Sequence, residues 1–101
     1  MKQCCNDYLM EQFGDEDVVN EIYAEYAHSM EEKIPELEAA LTAENWTTLD
    51  PLAHAVKGNA LATGDTKAAD TAVALRTAAK MSDKDVATNL FEKLKALAQE
   101  I

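Results

Sequence analysis

Between about Asp17 and Ala43 the apolar side chains Val19, Ile22, Tyr23, Tyr26, Met30, Ile34, Leu37 and Leu41 recur at spacings of three and four. That spacing puts them on one stripe of an α-helix and on no single face of a strand, where neighbours alternate sides. A helix with one apolar stripe must bury it against other elements. Pro35 interrupts the run. Its ring removes a donor and crowds the preceding turn, so the helix is expected to kink there or to split near Met30 to Ile34.

The rest of the chain is punctuated at Gly14, Glu44-Asn45, Gly64 and Ser82-Asp83. Only three Gly and two Pro are spread over 101 residues, 48% of them hydrophobic, which favours a few long helices over many strands. Asp7 to Phe13 reads as a short helix, with Asn6 as N-cap and Gly14 able to supply the left-handed residue that ends it. A third segment runs from about Thr48 to Thr63, with Pro51 expected in its first turn. Asp65 or Thr66 can cap a fourth, which continues to about Met81 with Ala68, Ala72, Leu75 and Ala79 on one narrow face. The last begins at Ser82-Asp83-Lys84-Asp85, resembling a capping box, and is expected to bury Val86, Leu90, Leu94, Leu97 and Ile101. Short connections make neighbours antiparallel. The expected fold is all-α: an up-down-up-down four-helix bundle over about residues 17–101 with a short extra N-terminal helix at about 7–13, in one domain spanning 1–101.

The formal net charge of −10 repels phosphate backbones and anionic lipid, so neither nucleic acid nor membrane is an expected partner. No apolar stretch has signal-peptide or membrane-spanning character, which sets the expected location in the cytoplasm. Met1 favours a free-standing protein over a piece of a larger kinase. Cys4 and Cys5 are adjacent and cannot staple distant segments, and with no second Cys pair a structural zinc site is not expected.

On a wheel of 3.6 residues per turn with Val56 as the core direction, Leu49, Leu52, Ala53, Ala60 and Thr63 fall within roughly 60° of it. His54 lies about 160° away, with Gly58 and Leu61 on its side and Lys57 at about 100°. A lone helical histidine is ordinarily a plain surface residue. Here a glycine inside a helix costs about 1 kcal/mol relative to alanine without a packing reason, Leu61 exposes apolar surface, and Lys57 offers a cation one turn from the imidazole.

Those residues, in "LAHAVKGNALATG", strongly resemble the signature of the histidine phosphotransfer (HPt) family, and the similarity extends from about Tyr23 to the C-terminus through "LEAALTAENW" and "ALRTAAKMSD". The resemblance implies that His54 is phosphorylated, Lys57 helps hold the phosphoryl group, and Gly58 leaves room for a partner active site. It makes Arg76 the candidate for orienting the histidine or contacting the phosphoryl group, although Gln is the more familiar residue there. Asn59 stands where many members carry a small residue such as Ser. Leu61, Thr47 and Asp50 are the expected partner contacts. The implied partners are a response-regulator receiver domain and a sensor or hybrid histidine kinase, with the chain itself a monomer. No cofactor of its own is implied; Mg²⁺ would belong to the receiver. Imidazole titrates just below neutral pH, so a neutral ring keeps one lone pair for in-line attack. With no Walker loop and no Gly-x-Gly-x-x-Gly, no nucleotide site is expected, which makes the chain a phosphocarrier and not a kinase.

Two alternatives belong to other classes. Glu25-Tyr26-Ala27-His28 is a Glu-x-x-His pair of the kind found in di-iron bundles, but Pro51 stands three before His54, so the second pair is missing. A bundle serving only as an interaction module would have no reason to keep His54 together with Lys57-Gly58.

Overall fold

Four of the five helices start where an aspartate or asparagine accepts a bond from an otherwise orphaned N–H. In the computed structural model, which describes residues 1–101, α2 (Glu16–Thr42) is capped by Asp15, α3 (Trp46–Thr63) by Asn45, α4 (Thr66–Lys80) by Asp65 and α5 (Lys84–Gln99) by Asp83. Each such cap contributes about 1 kcal/mol. The preceding residue in every turn, Gly14, Glu44, Gly64 or Ser82, has a positive φ. After α2, α3 and α4 the following N–H groups turn back onto the last helical carbonyls, as in Asn45 N–H to Ala40 O, Asp65 N–H to Ala60 O and Asp83 N–H to Ala78 O. One left-handed residue followed by one cap thus makes each of the four turns.

Turns this tight make successive helices antiparallel, and α2 packs on α3, α3 on α4, α4 on α5 and α5 back on α2. The chain is all-helical, a four-helix bundle with α1 (Gln3–Phe13) laid on α2 and touching α3. At 1.5 Å per residue α2 is ~40 Å long, which accounts for the 42 Å long axis of a body 19 Å across. The main core joins Tyr26, Met30, Leu37, Leu49, Ala53, Val56, Leu75, Phe91 and Leu94 with the alanines of α4; a smaller cluster of Leu9, Val19 and Tyr23 seats α1. No helix is long and apolar enough to cross a membrane.

Several local expectations are corrected. The first helix starts at Gln3, not Asp7, and Asn6 lies inside it. Its start is fixed from outside: the Lys2 backbone N–H donates to Tyr23 Oη (3.1 Å), and Lys2 Nζ donates to the buried Asp65 carboxylate (2.8 Å). Pro35 does not split α2, which runs unbroken, because buried Met30 and Leu37 anchor the helix on both sides of it. α3 begins at Trp46, so Pro51 falls in the second turn; the carbonyl it leaves unbonded is that of Thr47, an exposed residue open to water. Ser82 is no capping-box residue, since it takes the left-handed position and Asp83 caps. In α5, Ala87 and Phe91 occupy the core with Leu94, while Val86 is 46% exposed and Leu90, Leu97 and Ile101 are half-buried.

Asp65 is the one buried carboxylate. It caps α4 through Oδ1, and its Oδ2 accepts from Tyr26 Oη at 2.8 Å and pairs with Lys2 Nζ, so both carboxylate oxygens are bonded. The surroundings reflect the burial. It pushes the Tyr23 and Tyr26 phenols upward, Tyr26 further because its proton is bonded to the Asp65 carboxylate, and it pushes the Cys5 thiol up to about 12, helped by neighbouring Cys4 and Asp65.

Candidate functional site

The site grows from the division of α3 into two faces. Leu49, Ala53, Val56, Ala60 and Thr63 are buried, and that leaves His54, Gly58 and Leu61 on the exposed side. Leu61 is an apolar side chain left 50% exposed to solvent. A Cβ built on Gly58 would meet nothing within 4 Å, so no internal contact explains the glycine. Lys57 is half-buried and takes part in none of the chain's ion pairs, so its charge remains uncompensated beside His54.

Helix α4 supplies the second wall. Its inner face is Ala68, Ala69, Ala72, Ala78 and Ala79 around Leu75, and such small side chains let two helices approach closely. The α3–α4 interface is the most extensive in the chain. Arg76, next to buried Leu75, reaches across the seam. Its Nε donates to Asp50 Oδ1 at 2.9 Å, and its Nη1 lies 2.9 Å from His54 Nδ1. Asp50 is one turn before His54 on α3, so both ends of the guanidinium contact are set by the same helix face. Nε2 of His54 bonds to no other protein group.

His54 and Arg76 therefore meet, with Lys57 and Gly58 one turn from the imidazole. Asp50 is engaged within the chain, its carboxylate anchoring Arg76. Thr47 is exposed and donates to Asn45 Oδ1 at 3.0 Å, part of the turn that starts α3. Asn59 is not idle where a smaller residue is usual: its side-chain amide donates to Ser29 Oγ at 2.8 Å and ties α3 to α2. The four-residue step puts Asp50 on the His54 side of α3, but its pairing with Arg76 joins two helices and has no local sequence sign.

His28 lies elsewhere, exposed and 3.1 Å from Glu32. No three His, Cys, Asp or Glu side chains converge anywhere in the chain, which removes the geometric basis of the di-iron reading.

The arrangement can offer one imidazole nitrogen to an incoming electrophile, hold the other, and present a free cation and an open gap beside them. A family model described as Hpt domain matches residues 21–101, all of the bundle but the first turn of α2. No curated protein and no solved structure matches the chain.

Proposed function

The chain belongs to the Hpt domain family, which serves histidine phosphotransfer in phosphorelays, and on that premise we propose that His54 is the residue that carries the phosphoryl group. His54 takes it from a receiver-domain aspartate or a histidine kinase and passes it to the aspartate of a response regulator. One observation carries the reading: the imidazole is exposed and tethered only through Nδ1, beside a helix glycine over which nothing stands.

In the accepting direction the Nε2 lone pair attacks phosphorus in line, the P–O bond to the receiver aspartate breaks, and its electron pair stays on the carboxylate. Transfer of this kind needs positioning and charge stabilisation more than covalent help from the protein. The receiver's Mg²⁺ would offset phosphoryl charge from the partner's side. Lys57 does so from this side, as a charge-assisted donor to phosphoryl oxygens. Gly58 and exposed Leu61 form the surface on which the receiver sits, and the absence of a side chain at Gly58 lets the aspartyl phosphate reach bonding distance. The cytoplasm, where receivers and kinase domains reside, is the location this role requires.

The test is incubation of the full chain with a phosphorylated receiver in the presence of Mg²⁺. Label should appear on this chain, be stable in alkali and labile in acid as a phosphoramidate is, and vanish in His54→Gln while the helical circular dichroism is kept. Label that persists in His54→Gln would remove His54 from the centre of the reading.

A further inference from the structure

Which nitrogen of a neutral histidine carries the proton is decided by what the other nitrogen bonds to. At His54 that partner is Arg76 Nη1, 2.9 Å from Nδ1. A guanidinium has five N–H donors and no acceptor, and it does not lose its proton in proteins. Nδ1 must then be the acceptor, with its lone pair toward Arg76, and the ring proton of the free protein sits on Nε2. Arg76 is itself fixed, because Asp50 Oδ1 accepts from its Nε at 2.9 Å and the two side chains are only 25% and 31% exposed.

We infer that Arg76 sets the lifetime of the phosphorylated histidine by keeping Nδ1 free of a proton; the inference rests on His54 being the phosphorylated residue. For the attack the ring first moves its proton through solvent from Nε2 to Nδ1, giving up the Arg76 bond. Once the N–P bond has formed, Nδ1 loses that proton to water and accepts from Arg76 again, so that the product ring carries phosphorus on Nε2 and a lone pair on Nδ1. That is the form an N–H donor at Nδ1 favours. Loss of the phosphoryl group to water breaks the P–N bond and returns its electron pair to Nε2. If Nδ1 is protonated the ring departs as neutral imidazole; if Nδ1 is bare it departs as imidazolate and must be protonated at Nε2. The second route is the harder one, and the Asp50–Arg76–His54 chain enforces it. Arg76 is in this sense a positioning residue whose hydrogen-bond direction, and not merely its bulk or charge, matters. An acceptor at the same place would do the reverse and hold a proton on Nδ1.

The experiment uses the full chain carrying His28→Gln, so that His54 is the only histidine, phosphorylated chemically with phosphoramidate and followed at neutral pH. In the unphosphorylated parent, ¹⁵N spectra of the ring should show a proton-free Nδ1 and a protonated Nε2. In the phosphorylated parent Nδ1 should remain proton-free. Arg76→Lys, which keeps a donor, should hold the lifetime within about twofold of the parent. Arg76→Met should shorten it several-fold, and Arg76→Glu further, with a proton appearing on Nδ1 in the glutamate variant. Circular dichroism checks folding, and the lysine and glutamate variants decide the matter if the methionine variant does not fold. A protonated Nδ1 in the parent, or equal lifetimes across folded variants, overturns the inference. Neither result bears on whether a receiver donates phosphate to this chain. Conversely, failure of every receiver to label His54 would sink the phosphocarrier reading and leave the proton assignment standing.

Discussion

Tyr8 of α1 packs directly on the bare Cα of Gly64 at the α3–α4 turn: a Cβ there would stand 2.6 Å from Tyr8 Cγ, and the glycine also has φ +80°. Two independent demands thus fall on one residue, a left-handed backbone and a close approach. Gly64→Ala is expected to destabilise the chain by about 3 kcal/mol, combining about 1–2 for the left-handed conformation with a similar overpacking cost. Thermal or urea unfolding measures this. Because the nearest obstacle is the Tyr8 Cβ itself, Gly64→Ala made in a Tyr8→Gly background should cost only the left-handed share, and a cost as large as in the parent would show that Tyr8 is not the obstacle.

Gly58 lies inside α3, six residues before Gly64, and answers to a different rule. Nothing in the chain approaches it and its conformation is helical, so Gly58→Ala should raise stability by up to about 1 kcal/mol and leave transfer near the parent rate. Gly58→Gln should remain folded but slow transfer from a phosphorylated receiver strongly, since a displacement near 1 Å can cost about a hundredfold. A glutamine variant that transfers at the parent rate would mean the receiver docks elsewhere.

Lys57 has no partner to lose. Lys57→Ala should change the melting free energy by less than about 0.5 kcal/mol while slowing phosphotransfer on the order of tenfold, the size of about 1.4 kcal/mol from one charge-assisted contact. Stopped-flow or gel-based transfer kinetics beside a melting curve separate the two effects; unchanged kinetics would make Lys57 a bystander.

The cluster around Asp65 gives the chain an alkaline limit. Folding raises the Cys5 thiol from 9.0 to about 12, chiefly through burial, and raises Tyr23 and Tyr26 above 10.0 for the same first reason. The folded state binds these protons more tightly than the unfolded chain does. Their contribution is whole below pH 9 and is lost as pH climbs toward the folded values. Melting temperature should therefore fall steadily between about pH 9 and 11, less steeply in Tyr26→Phe. In the same region Cys4 is exposed and Cys5 buried. Iodoacetamide at neutral pH should label one thiol quickly and the second only in denaturant. A flat alkaline profile, or two equally reactive thiols, would contradict the burial of this cluster.

Much of the fold was legible because the apolar spacing of α2 and α3 admits one helical phase. Taking Val56 inward leaves His54 outward by geometry alone. The misreadings share a cause, namely that they depend on contacts between segments remote in sequence or on a neutral choice between adjacent positions. Gln3 starts a helix because Lys2 is held by residues 21 and 63 positions away, a tie no local pattern reveals. Val86 and Ala87 stand side by side at the head of α5, and only the packed bundle decides that the smaller one goes inside. Ser82 accepts a left-handed backbone that composition would assign to glycine, because the Ala78 carbonyl behind it is satisfied by Asp83. At the site the facing residues of α3 could be read from one helix. The bond from Arg76 to Asp50 crosses 26 positions and could not.

The four turns, each one left-handed residue and one cap, also govern how the bundle is rebuilt after it opens. Every helix meets its main neighbour across a connection of two or three residues, so little chain entropy is lost in bringing them together. Refolding should fall in the microsecond-to-millisecond range of helical bundles. The slow steps left are the two closures that span distance along the chain, α5 onto α2 and Lys2 onto Asp65. The clasp at Lys2 is consequently expected to form last and release first, which makes α1 the part of the molecule whose amide protons should exchange earliest while α3 and α4 still hold His54 and Arg76 together.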